Sequence, residues 1–146
     1  MIVAAPAGSA TLARLAQALP PAAITARLDA AGVHRIAVTA APPDLAQLLY
    51  RHAPARIIPL LGVYRAGTNK MNWMRDAGLP EKTAAMLKLG TWAGMGELHL
   101  FAEDAGNPVF AELVKLAGAN GLLLMIHGDA EVVDKAFELA PGLRVL

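Results

Sequence analysis

Apolar positions along the chain recur in two alternating rhythms, one near 3.6 residues and one either strictly alternating or continuous. These predict helices and strands in turn. Ala22 to Ala31, AAITARLDAA, places Ile24, Leu28 and Ala31 on one helical face, and Gly32 supplies the stop. The β-branched run Val33 to Thr39 follows as a strand. Pro42-Pro43-Asp44 opens a second helix, with Leu45, Leu48, Leu49 and His52 at helical spacing and Pro54 ending it. Arg56 to Tyr64, RIIPLLGVY, reads as a buried strand in which Pro59 argues for an edge or irregular position.

Arg65 to Asn69 is rich in turn formers, and helical material follows around Met71 to Asp76 and from Pro80 to Leu89, with Gly90 as the stop. Trp92 to Leu100 is the third strand. Asn107-Pro108 starts a helix by the cap-then-proline pattern, with Phe110, Leu113, Val114 and Ala117 inward. Leu122 to His127 is the fourth strand. Asp129 caps a helix that carries Val132, Val133, Ala136 and Phe137 on one face, and Leu143 to Leu146 begins a fifth strand.

Strands alternating with helices predict an α/β fold with a parallel sheet covered by helices. A small, open, doubly wound sheet and a (β/α) barrel compete. A complete barrel takes about 250 residues and eight strands, so the 146 residues here hold part of one at most. The chain reads as a single domain, with residues 1–21 as a poorly defined N-terminal segment.

Composition narrows the function. The chain is 55% hydrophobic and 17% charged, which supports a core and excludes wholesale disorder. The net charge is +1 and neither sign clusters, so no nucleic-acid or anionic-lipid footprint is present. There is no cysteine, hence no disulfide, thiolate nucleophile or cysteine-bound metal. The first basic residue, Arg14, follows the apolar start, while Pro6 and Gly8 interrupt it. That argues against a signal peptide and a membrane helix, and the expected compartment is the cytoplasm.

The candidate chemistry lies in GMGELHL, residues 94–100, and LLLMIHGD, residues 122–129. Glu97 and His99 are two apart on one strand and share a face; His127 ends the next strand. In either architecture functional sites lie at the carboxyl ends of parallel strands. A carboxylate and two imidazoles converging there suit zinc, with manganese or iron as alternatives. The competing reading is a strand-end histidine bonded to a carbonyl and a glutamate paired with a cation. His34 and His52 read as surface residues, and Met71, Trp73, Met74 and Met86 as packing. Ser9 is the lone serine and lacks a G-x-S-x-G setting.

Three stretches taken together, LDAAGVHRIAVTAAPPD, GMGELHL with NPVFAELVKLAGANGLLLMIHGD, and AEVVDKAFELAPGLRVL, resemble the amidohydrolase superfamily in its metal-dependent, TIM-barrel branch. The resemblance covers roughly Ile24 to Leu146. It implies a partial (β/α)₈ barrel, strands two to five and the start of six, acting on amide or ester bonds of a small-molecule substrate through a divalent metal. Some relatives decarboxylate instead. By this resemblance Glu97 matches the fourth-strand carboxylate and His127 the fifth-strand histidine; His99 occupies a position often filled by histidine. The family's H-x-H pair, sixth-strand histidine and eighth-strand aspartate have no counterpart here, which implies a truncated chain. A non-catalytic half-barrel that forms a homo-oligomer through open strand edges is the alternative.

Overall fold

The computed structural model describes residues 20–40, 43–64 and 67–146; residues 1–19 of the N-terminal segment lie outside these. Among the described residues, helix α1 (Pro21–Ala30) leads into β1 (Ile36–Ala40), α2 (Asp44–His52) and β2 (Ile57–Leu61). A 3₁₀ turn at Trp73–Arg75 and α3 (Leu79–Leu87) precede β3 (Gly94–His99). A second 3₁₀ turn at Ala102–Asp104, α4 (Pro108–Ala119), β4 (Leu123–His127), α5 (Ala130–Leu139) and β5 (Arg144–Val145) complete the order. No helix of the described residues is long and apolar enough to cross a membrane.

All five strands are parallel and lie side by side in chain order, β1 to β5. A doubly wound sheet reverses its order at a switch point; this one does not. Each crossover therefore winds the same way, and right-handed crossovers lay the helices on one face. Consecutive helices pack on one another accordingly, α1 on α2, α3 on α4 and α4 on α5.

The helix side of the sheet holds the core. Near β1 it gathers Leu28, Ile36, Val38, Ala40, Ala46, Leu49 and Ile57. Around β3 and β4 a larger cluster includes Leu61, Trp73, Leu98, Phe110, Leu113, Leu124 and Val132. The four α4 positions expected to face inward are all buried, and Asn107 caps that helix, its Oδ1 accepting from the N–H groups of Val109 and Phe110.

Other expected faces shift. On α2 the buried side chains are Ala46, Gln47 and Leu49. Leu48 and His52 turn to solvent, on the side of the helix opposite the buried residues. Ala31, just past α1, and Phe137 of α5 are likewise exposed. Asp129 stands at the start of α5 but makes no side-chain cap; its Oδ2 instead accepts the Ala102 N–H at 2.8 Å and ties the two post-strand turns together.

Pro59 lies on β2, between β1 and β3, not on an edge. Its carbonyl accepts the Ala93 N–H at 3.0 Å, so by parallel-ladder geometry an N–H at position 59 would have reached the carbonyl of Thr91. Gln47 takes that place: its Nε2 donates to the Thr91 carbonyl at 2.7 Å and its Oε1 accepts the Thr91 N–H at 3.3 Å. A buried helix amide thus completes the ladder that proline interrupts.

Candidate metal centre

The face of the sheet away from the helices carries Thr39, Leu60, Glu97, His99, Met125 and His127. Strict alternation along β3 would put Met95 with Glu97 and His99. The β3–β4 register shifts between Met95 and Leu98, however. The irregularity sends Met95 and Leu98 to the helix-side core and turns Glu97 and His99 to the other face. Gly96 sits inside it with φ +124°, a region that L side chains rarely adopt, and the Gly96–Glu97 peptide is cis. A Cβ on Gly96 would lie 2.4 Å from the Met125 carbonyl oxygen. The Gly96 carbonyl accepts the Thr39 hydroxyl at 2.7 Å in a buried bond that spans β1 to β3.

After the irregularity His99 pairs directly with His127. Neighbouring strands stand about 4.8 Å apart, and the two imidazole rings stack at a centroid distance of 4.6 Å, 26° from parallel. Glu97 Oε1 lies 3.3 Å from His127 Nδ1 and 3.7 Å from His99 Nε2. One donor atom from each of the three side chains falls within 4.8 Å of the others. All three residues named from the sequence therefore converge, at the carboxyl ends of two adjacent strands. His34 and His52 stay on the surface, as expected.

Tyr64, just past β2, is a member of the site that the sequence did not single out. Its phenol oxygen accepts the His99 backbone N–H at 2.9 Å and lies 3.0 Å from His99 Nδ1. Burial, with the Glu97 charge adding to it, pushes the Tyr64 phenol up to about 12, so it keeps its proton; the His99 N–H works the other way. Trp73, fully buried, donates its indole N–H to the His99 carbonyl at 2.9 Å. Backbone and ring of His99 are thus held by two side chains through three contacts. Tyr64 could have been found by asking which polar side chains follow a strand end; Trp73 carries no such signal, because its partner is a backbone carbonyl.

Burial holds His99 below the ordinary imidazole range, with His127 and Lys70 acting the same way and Glu97 opposing them. The ring is therefore neutral at pH 7, and its approach to Glu97 is a polar contact more than an ion pair. A neutral imidazole is the form that ligates a metal.

Beside the two histidines opens a cleft of about 550 Å³, bounded by Lys70, Met71, Met74, Arg75, Phe101 and Asp104. Met71, expected to pack, is instead 76% exposed on its rim. Comparison with protein-family models, curated proteins and solved structures finds no match to this chain.

Proposed function

We propose that Glu97, His99 and His127 form a divalent-metal centre and that the chain is a metal-dependent hydrolase of amidohydrolase type, acting on an amide or ester bond of a small molecule. The observation that carries this reading is the convergence of one oxygen and two nitrogen donors within 4.8 Å beside an open cleft. Ligands of a tetrahedral zinc with bonds of about 2.0–2.1 Å stand about 3.3 Å apart. The Glu97–His127 distance of 3.3 Å matches, and the Glu97–His99 distance of 3.7 Å needs only a small closure. His127, 68% exposed, is the ring with room to adjust. The N₂O donor set favours zinc, with manganese or iron as alternatives.

A divalent ion held there supplies Lewis acidity and lowers the pKa of bound water to about 7. The chain's own part is orientation. Glu97 contributes the negative charge. Tyr64 fixes the His99 ring so that Nε2 faces Glu97; with Nδ1 protonated, as an Nε2-ligating ring requires, the phenol oxygen accepts both His99 N–H groups. Trp73 clamps the backbone behind it.

The sequential strand order with helices on one side supports reading the sheet as an arc of a (β/α)₈ barrel. Among the described residues the sheet ends at β1 and β5, which favours a second reading, a half-barrel that self-associates; a monomer by light scattering at high concentration overturns it.

The centre is tested by metal content and by zinc titration of apo protein. Wild type is expected to take up one equivalent, and Glu97→Ala/His127→Ala to lose at least tenfold in affinity. Equal, negligible binding by both overturns the metal reading and leaves a carboxylate hydrogen-bonded to His127 and close to His99.

A further inference from the structure

The cleft beside the histidines has a composition that the three ligand candidates do not explain. Lys70 and Arg75, both exposed, stand on its wall, and neither forms a side-chain hydrogen bond or ion pair among the described residues. Among the described residues Asp104 is the one carboxylate lining the cleft against these two cations, while the Glu97 carboxylate behind it is engaged by His127 at 3.3 Å. Two large apolar side chains, Met71 at 76% and Phe101 at 64% exposure, stand on the same cleft. Exposed side chains of this size gathered round a cavity mark a binding surface, and methionine adapts its shape to an apolar ligand. A volume of about 550 Å³ suits a small organic molecule.

We propose that this cleft binds a small organic monoanion with an apolar body, a carboxylate held by Lys70 and Arg75 and an aromatic or branched group lying between Met71 and Phe101. Two cations against one lining carboxylate favour an anion over a cation or a neutral ligand. Arg75 supplies the planar fork that matches a carboxylate, and Lys70 a second donor. The carboxylate is then a recognition handle, and the apolar body is carried past His99 and His127. This last point rests on the proposed metal centre; binding in the cleft does not.

The test uses metal-free protein in chelator, so that no ion can capture the carboxylate. Titration calorimetry compares 4-phenylbutyrate, its neutral amide 4-phenylbutanamide, and acetate. 4-Phenylbutyrate is expected to bind at least tenfold more tightly than either. Lys70→Gln/Arg75→Gln should abolish the preference for carboxylate over amide, and Met71→Ser/Phe101→Ser should weaken 4-phenylbutyrate several-fold with acetate unaffected. The charge-reversed Lys70→Glu/Arg75→Glu, with a circular dichroism spectrum matching wild type, should prefer 4-phenylbutylamine. Equal binding of amide and carboxylate by wild type, or an unaltered preference in the glutamine variant, overturns the proposal. Zinc titration of wild type is read separately: carboxylate selectivity without zinc binding sinks the metal centre and leaves the cleft standing, and zinc binding without selectivity does the reverse.

Discussion

Tyr64 and His99 meet through one oxygen: the phenol accepts the His99 backbone N–H at 2.9 Å and lies 3.0 Å from the ring Nδ1. Removing that oxygen frees the ring to rotate and leaves a half-buried N–H without its partner. Tyr64→Phe is expected to lower zinc affinity about 10–100-fold, the usual effect of losing a group that orients a metal-bound histidine. The fold should lose about 1 kcal/mol. Calorimetric titration and urea denaturation check the two separately, and unchanged zinc affinity in a folded variant would show that the phenol does not orient the ring.

Thr39 carries a bond between strands that are not neighbours. Its hydroxyl donates to the Gly96 carbonyl at 2.7 Å in a buried setting, so Thr39→Val leaves that acceptor unsatisfied at a cost of about 1–3 kcal/mol. Thr39→Ser keeps the donor and should cost less. Chemical denaturation of the pair is the measurement, and a valine variant as stable as wild type would show that this bond contributes nothing to the fold.

Gly96 tolerates no side chain. Its φ of +124° and the 2.4 Å approach of a Cβ to the Met125 carbonyl act together. Such backbone strain costs about 1–3 kcal/mol, and overpacking about as much again. Gly96→Ala should therefore lower stability by more than about 2 kcal/mol and disturb the Glu97–His127 approach. Gly142→Ala, where a Cβ meets nothing within 4 Å, should stay within about 0.5 kcal/mol of wild type. Similar denaturation midpoints for both variants would contradict this account of β3.

Gln47 stands in for the missing Pro59 N–H. Gln47→Leu keeps the volume but strands both polar groups of Thr91, at an expected cost of about 1–3 kcal/mol. Amide exchange at Thr91 should quicken in step. A neutral substitution would mean that solvent satisfies this backbone as well as the side chain does.

His99 predicts the direction of a pH effect. The unfolded chain takes up a proton near pH 6.5, whereas burial and neighbouring positive charge keep the folded ring neutral to lower pH. Between those two values the unfolded state holds more protons, so stability falls as pH falls through the window and levels off below it. In metal-free protein, the urea midpoint of wild type should drop more than that of His99→Gln between pH 7.5 and 5. Parallel curves would show that folding does not shift this ring.

The strand–helix alternation and the three donor candidates were both legible in the sequence. Gly and Pro at the element ends, the cap at Asn107 and the apolar period of α4 act within a few residues of their own position. Local physics of that kind is readable without a fold. The inward faces of α1, α2 and α5 were only partly readable, because a long apolar residue at helical spacing does not reveal which stripe the sheet will accept.

Pro59 shows the limit from the other side. Its missing N–H argued for an edge, yet the remedy comes from Gln47 and reaches a partner 44 residues away from that helix position. No local pattern announces such a compensation.

The sequence by itself determined that strands and helices alternate, and that Glu97, His99 and His127 sit at strand positions where a site can form, since these depend on residue type and short-range spacing. Tertiary structure alone decided that the strands lie side by side in chain order, the irregularity that parts Met95 from Glu97, and the His99–His127 register. It also brought Tyr64, Trp73 and the Lys70–Arg75 wall around them. Those outcomes depend on which backbone groups find partners across the sheet, a competition among distant segments that is settled only when all of them are packed at once.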